Sequence, residues 1–86
     1  MTEYRVELRP AAAKALHTLE PGVQQRIRGV IAWLAHDPRP PNAKALPGRR
    51  GLRVRVGDYR VIYTVADDVL LVVGVSLGHR REIYDR

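Results

Sequence analysis

"GLRVRVGDYRVIY", residues 51–63, carries two short periods of alternation around a glycine. Leu52, Val54 and Val56 alternate with Arg53 and Arg55, and Tyr59, Val61 and Tyr63 alternate with Arg60 and Ile62. A period of two is that of strands with one buried face. Gly57-Asp58 between them is a two-residue turn with glycine first, which suits a type II′ hairpin. That turn fixes the register: Val56 faces Tyr59, Arg55 faces Arg60, Val54 faces Val61, and Arg53 faces Ile62. One face is then apolar, while the other collects Arg53, Arg55 and Arg60. Like charges directly opposed across a strand pair are destabilising. A face chosen for folding alone would alternate its signs. A phosphate lying between two guanidinium forks would relieve the repulsion. A plain solvated face is the alternative reading.

On the N-terminal side, Tyr4, Val6 and Leu8 alternate with Arg5 and Glu7 as a further strand. Pro10 opens a first helix at the turn where a missing N–H does no harm, with Ala12, Ala13, Leu16 and Leu19 along one side. Pro21-Gly22 breaks it and begins a second. Val23, Ile27, Val30, Ile31 and Leu34 form its apolar stripe, and the prolines of "DPRPPN" (37–42) stop it. The stretch from His36 to Gly51 is long for a loop in a compact domain and suggests a short helical turn or a functional loop. After the hairpin come Val69–Leu77, apolar nearly throughout and so expected as the central strand covered on both faces, and a short run at Glu82–Tyr84. The expected fold is α+β: an N-terminal strand, then an antiparallel helical hairpin packed on a mainly antiparallel four-stranded sheet. One domain spans residues 1–86.

The chain's 86 residues include no cysteine, which excludes disulfides and thiolate metal sites. Three scattered histidines give no ligand spacing, so no metal or cofactor is expected. No run approaches the roughly 20 apolar residues of a membrane span, and the N-terminus lacks a signal-peptide pattern. A cytoplasmic location without membrane contact is expected. The net charge of +6 is unevenly placed. Between Arg39 and Arg60 lie seven basic residues against the single acid Asp58, while the remaining sequence is neutral. Arginine outnumbers lysine 13 to 2, which a genome bias would explain, but such a bias does not explain the concentration. A polyanionic partner does.

"GHRREIYDR" (78–86) follows the apolar strand and brings a histidine, arginines and a tyrosine toward the basic hairpin. His79 is the side chain suited to accept and return a proton near neutral pH, and cationic neighbours favour its neutral form. Ordinary surface charge and an electrostatic contact for an acidic protein compete with that reading. His17 and His36 read as ordinary helix residues.

Taken together, "GDYRVIY", then "GHRREIY", and the connector residues Lys44, Ala45, Leu46 and Gly48 resemble the RelE/ParE superfamily of type II toxin–antitoxin toxins. The resemblance is to its RelE branch and covers essentially the whole chain. It implies a microbial-ribonuclease-like fold and a ribosome-dependent, metal-independent endoribonuclease that cleaves mRNA. It also implies an antitoxin, RelB-like with an acidic segment, and contact with operator DNA only through the antitoxin complex. Carried over by position, Arg60 matches the arginine at the scissile phosphate and Arg80 a second phosphate-stabilising arginine. Tyr84 matches a C-terminal tyrosine that stacks or assists proton transfer, and His79 falls where relatives have lysine or histidine. Arg53 and Arg55 match basic residues of the second strand. Lys44, Arg49, Arg50 and Arg81 are the remaining candidates for RNA binding. Many relatives continue past this tyrosine, whereas this sequence stops at Arg86. A ParE-like gyrase inhibitor and a catalytically inactive antitoxin-binding homologue are the alternatives.

Overall fold

The computed structural model describes residues 3–78. Strand β1 (Arg5–Leu8) leads into helix α1 (Pro10–His17), and three residues later into α2 (Pro21–His36). Both helices open with proline at the first position, where its fixed φ is already helical. The turn between them is closed by Gln24, whose side-chain amide donates to the carbonyls of Leu19 (2.9 Å) and His17 (3.3 Å). Asp37 ends α2 and the prolines follow at once.

The connector, expected as a short helical turn or a functional loop, forms no helical turn. Lys44–Ala45 is instead a two-residue strand, β2, paired antiparallel to β3 (Leu52–Val56). β4 (Tyr59–Ala66) and β5 (Val69–Leu77) complete a five-stranded sheet in the order β1-β5-β4-β3-β2, with β1 parallel to β5. The sheet therefore has one strand more than the sequence suggested, and β4 rather than β5 is its middle strand. The run 82–84 lies outside the described residues.

The hairpin register is the expected one, Val56↔Tyr59 through Arg53↔Ile62, with Gly57 at φ +62. Its apolar face joins a single core. Leu16 of α1 and Ile27 and Leu34 of α2 are fully buried against Val54, Val61, Tyr63, Leu70 and Val72. Tyr4, Val6 and Leu8 of β1 pack on the same core. Both helices thus cover one face of the sheet. β5 is not covered on both faces: Leu70, Val72 and Val75 are buried, while Leu71 and Val73 on its length stay partly exposed.

Inside β5 there is an irregularity that the sequence does not announce. Ile62 pairs with Gly74 but Tyr63 pairs with Val72, so Val73 is an extra residue, a β-bulge. The bulge moves Val75 to the core side opposite Val61 and sets Ser76 beside Arg60. The strand then leaves the sheet at Gly78, whose N–H donates to the Asp58 carbonyl at 2.8 Å. No helix among the described residues is long and apolar enough to cross a membrane.

Tyr63 ties the proline-rich connector to the core. Its ring is fully buried and its hydroxyl donates to the Pro38 carbonyl at 2.7 Å. Burial pushes the phenol above its ordinary value of 10.0, Arg39 pulls it down, and Asp37 adds to the rise. Replacing Tyr63 with Phe strands the Pro38 carbonyl and is expected to cost about 1 kcal/mol, seen as a fall in Tm of about 4–8 °C. The unfolded phenol ionises at its ordinary pKa while the folded one stays protonated. The stabilisation is thus fully present below pH 10.0 and is lost as pH rises through the folded value. Urea midpoints measured across that range should fall for the native chain and fall less for Tyr63→Phe.

Candidate nucleic-acid interface

The open face of the sheet is where the arginines gather. Cross-strand pairing places Ser76, Arg60 and Arg55 in one row, and Gly74, Ile62, Arg53 and Lys44 in the next. Arg55 stands directly opposite Arg60, and Lys44 directly opposite Arg53. The second like-charge pair was hidden in the sequence because Lys44 lay in the connector. Two such pairs side by side oppose folding, each by a few tenths of a kcal/mol or more.

These four cations line one groove of about 430 Å³ together with Pro41, Asn42 and Gly78. Among the described residues no carboxylate lines it. The two ion pairs found among the described residues lie elsewhere: Arg5 with Glu7 at 3.3 Å, and His36 with Glu3 at 2.9 Å. His36 thus behaves as the surface histidine the sequence suggested. Lys44, Arg53 and Arg55 have no carboxylate partner among the described residues.

Gly78 is buried and packs against Arg60. A Cβ built there would stand 3.4 Å from the Arg60 Cβ and 3.5 Å from its Nε. A Cβ at this position would meet the Arg60 side chain in ordinary van der Waals contact, so the end of β5 lies along Arg60. The bulge at Val73 and the bond from Gly78 to Asp58 are what bring the strand end there. His79, Arg80, Arg81 and Tyr84 follow directly in sequence and lie outside the described residues.

Arg49 and Arg50 do not join the groove. Arg50 lines a separate depression with Arg39, Thr64 and Val65 at the other end of β3 and β4. Pro41 and Asn42, which form the groove's wall, carried no signal of their own in the sequence. Their place there depends on the loop that Tyr63 holds. Among the described residues no group of three or more His, Asp or Glu could hold a metal ion.

A face of opposed cations should take up oxyanions and gain stability from them. Inorganic phosphate is expected to raise Tm above that in chloride of equal ionic strength. Arg55→Thr should raise the Tm measured without phosphate by relieving repulsion, and should abolish most of the phosphate response. An equal phosphate response in both proteins would show that the anion does not lie between the opposed forks.

The chain is similar to known proteins across nearly its whole length. Residues 6–84 match the family described as ParE toxin of type II toxin–antitoxin system, parDE. An Escherichia coli RelE-like toxin protein is 29% identical over 80 residues, covering 90% of this chain and 83% of that one. The archaeal RelE–RelB complex from Pyrococcus horikoshii contains a chain 31% identical to this one, with TM-score 0.77, covering 93% of this chain and 99% of the other. The isolated E. coli RelE toxin is 24% identical with TM-score 0.80, covering 94% and 90%, and shares the fold. With its helix pair on one face of a sheet and its basic hairpin on the other, this chain belongs to the RelE/ParE superfamily of type II toxin–antitoxin toxins, in the RelE branch.

Proposed function

We propose that this toxin is a ribosome-dependent endoribonuclease that cleaves mRNA and so stops translation in the cytoplasm. The observation that carries the reading is the groove in which Lys44, Arg53, Arg55 and Arg60 gather on one face, with Gly78 packed on Arg60 at its end. The chemistry needs no metal. A base removes the proton of the 2′-OH and the 2′-oxygen attacks phosphorus. The bond to the 5′-oxygen then breaks, and an acid protonates that oxygen as it leaves, giving a 2′,3′-cyclic phosphate. The intermediate phosphorane carries an added negative charge. Fixed guanidinium groups that meet this charge supply what is usually the largest single contribution in such sites.

In this reading Arg60 contacts the scissile phosphate and Arg80 is the second stabilising guanidinium. His79 is general base or general acid, and Tyr84 assists by stacking or proton transfer. Arg53, Arg55 and Lys44 hold the flanking phosphates; Arg49 and Arg50, outside the groove, and Arg81 contribute further backbone contacts. The strongly basic face also fits an antitoxin with an acidic segment, disordered alone and ordered on binding. In the archaeal relative's structure RelE is in complex with RelB. Operator DNA would be reached only through such a complex. Co-purification with the product of the adjacent gene tests the partner.

Activity is tested with purified protein on translating ribosomes, cleavage being read by primer extension. Arg60→Ala should reduce the rate by about 10²–10³, the scale of a lost oxyanion donor. The double variant His79→Ala, Arg80→Ala should leave no measurable cleavage, and cleavage at the native rate would remove this site. The match to a ParE family favours one second reading, inhibition of DNA gyrase. Loss of gyrase supercoiling with intact message would choose it.

A further inference from the structure

The chain's one tryptophan is on the outside. Trp33, on α2, is 60% exposed, against a core whose other large apolar side chains are mostly buried. It lines a second groove of about 610 Å³ between α2 and β3, with Val30 and Pro40 forming apolar walls. Arg26 and Arg55 supply the charge in this groove, and no carboxylate lines it among the described residues. Arg26 is held in place by the hairpin turn. Its two terminal guanidinium nitrogens lie 3.2 Å from where a Cβ on Gly57 would stand, so the guanidinium packs across the glycine.

The two grooves adjoin. Asn42 and Arg55 line both, the first on the open face of the sheet and the second round the edge of β3 on the helix side. We infer that Trp33 and Arg26 form an extension subsite for single-stranded RNA, in which a nucleotide flanking the cleaved linkage stacks its base on the Trp33 indole and sets its phosphate on Arg26. The strand passes from the open face around Arg55 to α2. Aromatic platforms beside a cationic track are the means by which single strands are held without strict sequence readout. An acidic protein segment would satisfy the charges too. The shared lining with the phosphate groove and the exposed planar ring favour the nucleic acid.

This inference rests on the reading of the open face as an RNA site, and the test separates the two. The probes are a mixed-sequence single-stranded octanucleotide and a trinucleotide, both fully 2′-O-methylated so that no 2′-hydroxyl remains to attack. Binding is measured at low ionic strength by the anisotropy of labelled strands, and Trp33 emission is followed in the native chain. The octanucleotide should quench Trp33 saturably. Trp33→Ala should weaken octanucleotide binding roughly 5- to 100-fold and leave trinucleotide binding unchanged, with Trp33→Phe recovering part of the loss. Arg26→Ala should lower the slope of log affinity against log salt by about one. Since Trp33 is exposed, its variants should keep the native Tm. Equal octanucleotide affinity for Trp33→Ala and the native chain, with Arg55→Ala weakening both probes, overturns the subsite and leaves the open-face reading standing. Failure of both probes to bind the native chain removes that reading and the subsite with it. Quenching of Trp33 by a glutamate-rich peptide, with none by the octanucleotide, overturns the proposal in favour of a protein occupant.

Discussion

The pairing of Arg55 with Arg60 across a two-residue turn is the constraint around which this molecule is arranged. Turn length alone dictates it: with Gly57 in the left-handed region the strands close tightly, and every residue on either side is assigned a face. Shifting β4 by one residue against β3 would send Val61 and Tyr63 to solvent. The apolar face therefore enforces the basic one. The core holds the cations together against their repulsion, and that is how a small domain with a modest core can keep like charges opposed.

The same logic explains why the site has two layers of support. The first is Tyr63, whose ring is in the core and whose hydroxyl reaches the Pro38 carbonyl. It connects the least regular part of the chain to the most rigid. Pro41, Asn42 and Lys44 then stand at the groove as the far end of a braced loop. The second is the β5 bulge, which changes which residue leaves the sheet beside Arg60. Without the extra residue Val73, Gly74 and Val75 would exchange faces and the strand would reach the Arg60 row one residue earlier. A small local irregularity thus adjusts the strand end toward the candidate chemistry, as bulges near functional sites commonly do.

The hairpin, its register and both helices were legible in the sequence because each rests on local physics. Period-two alternation, a glycine-led turn, and prolines at helix starts leave few alternatives at those positions. Ile27, Ile31 and Leu34 announced their burial by spacing alone. What was not legible was set by distant contacts. Lys44–Ala45 has no strand pattern of its own, being only two residues long, and becomes a strand because the edge of β3 offers it backbone partners. Val69–Leu77 is apolar on both parities, so its pattern could show neither the bulge nor which face is open. Its uniformity suggested a central strand; the parallel pairing with β1 is what makes it an interior one. Of the candidate site, Arg53, Arg55 and Arg60 could be brought together on paper because turn geometry links them. Arg49 and Arg50 could not be separated from them, since their direction depends on the path of the connector.

Lys44 opposite Arg53 is the most informative pairing on energetic grounds. A two-residue strand gains little from its ladder, and a like-charge pair at its centre takes part of that gain away. Folding alone gives no reason to set a second cation there, and a glutamate at either position would both pair across the strands and brace the loop. The strand nevertheless forms with both charges on the open face, held by the backbone of β3 on one side and by the prolines and Tyr63 on the other. The arrangement is economical only if an anion occupies the groove during function, because one bound phosphate chain would relieve both opposed pairs at once. Stability is thereby deferred from the free protein to its complex. An acidic partner wrapped over the same face would relieve the same repulsion, so any two anionic occupants would compete for one set of cations.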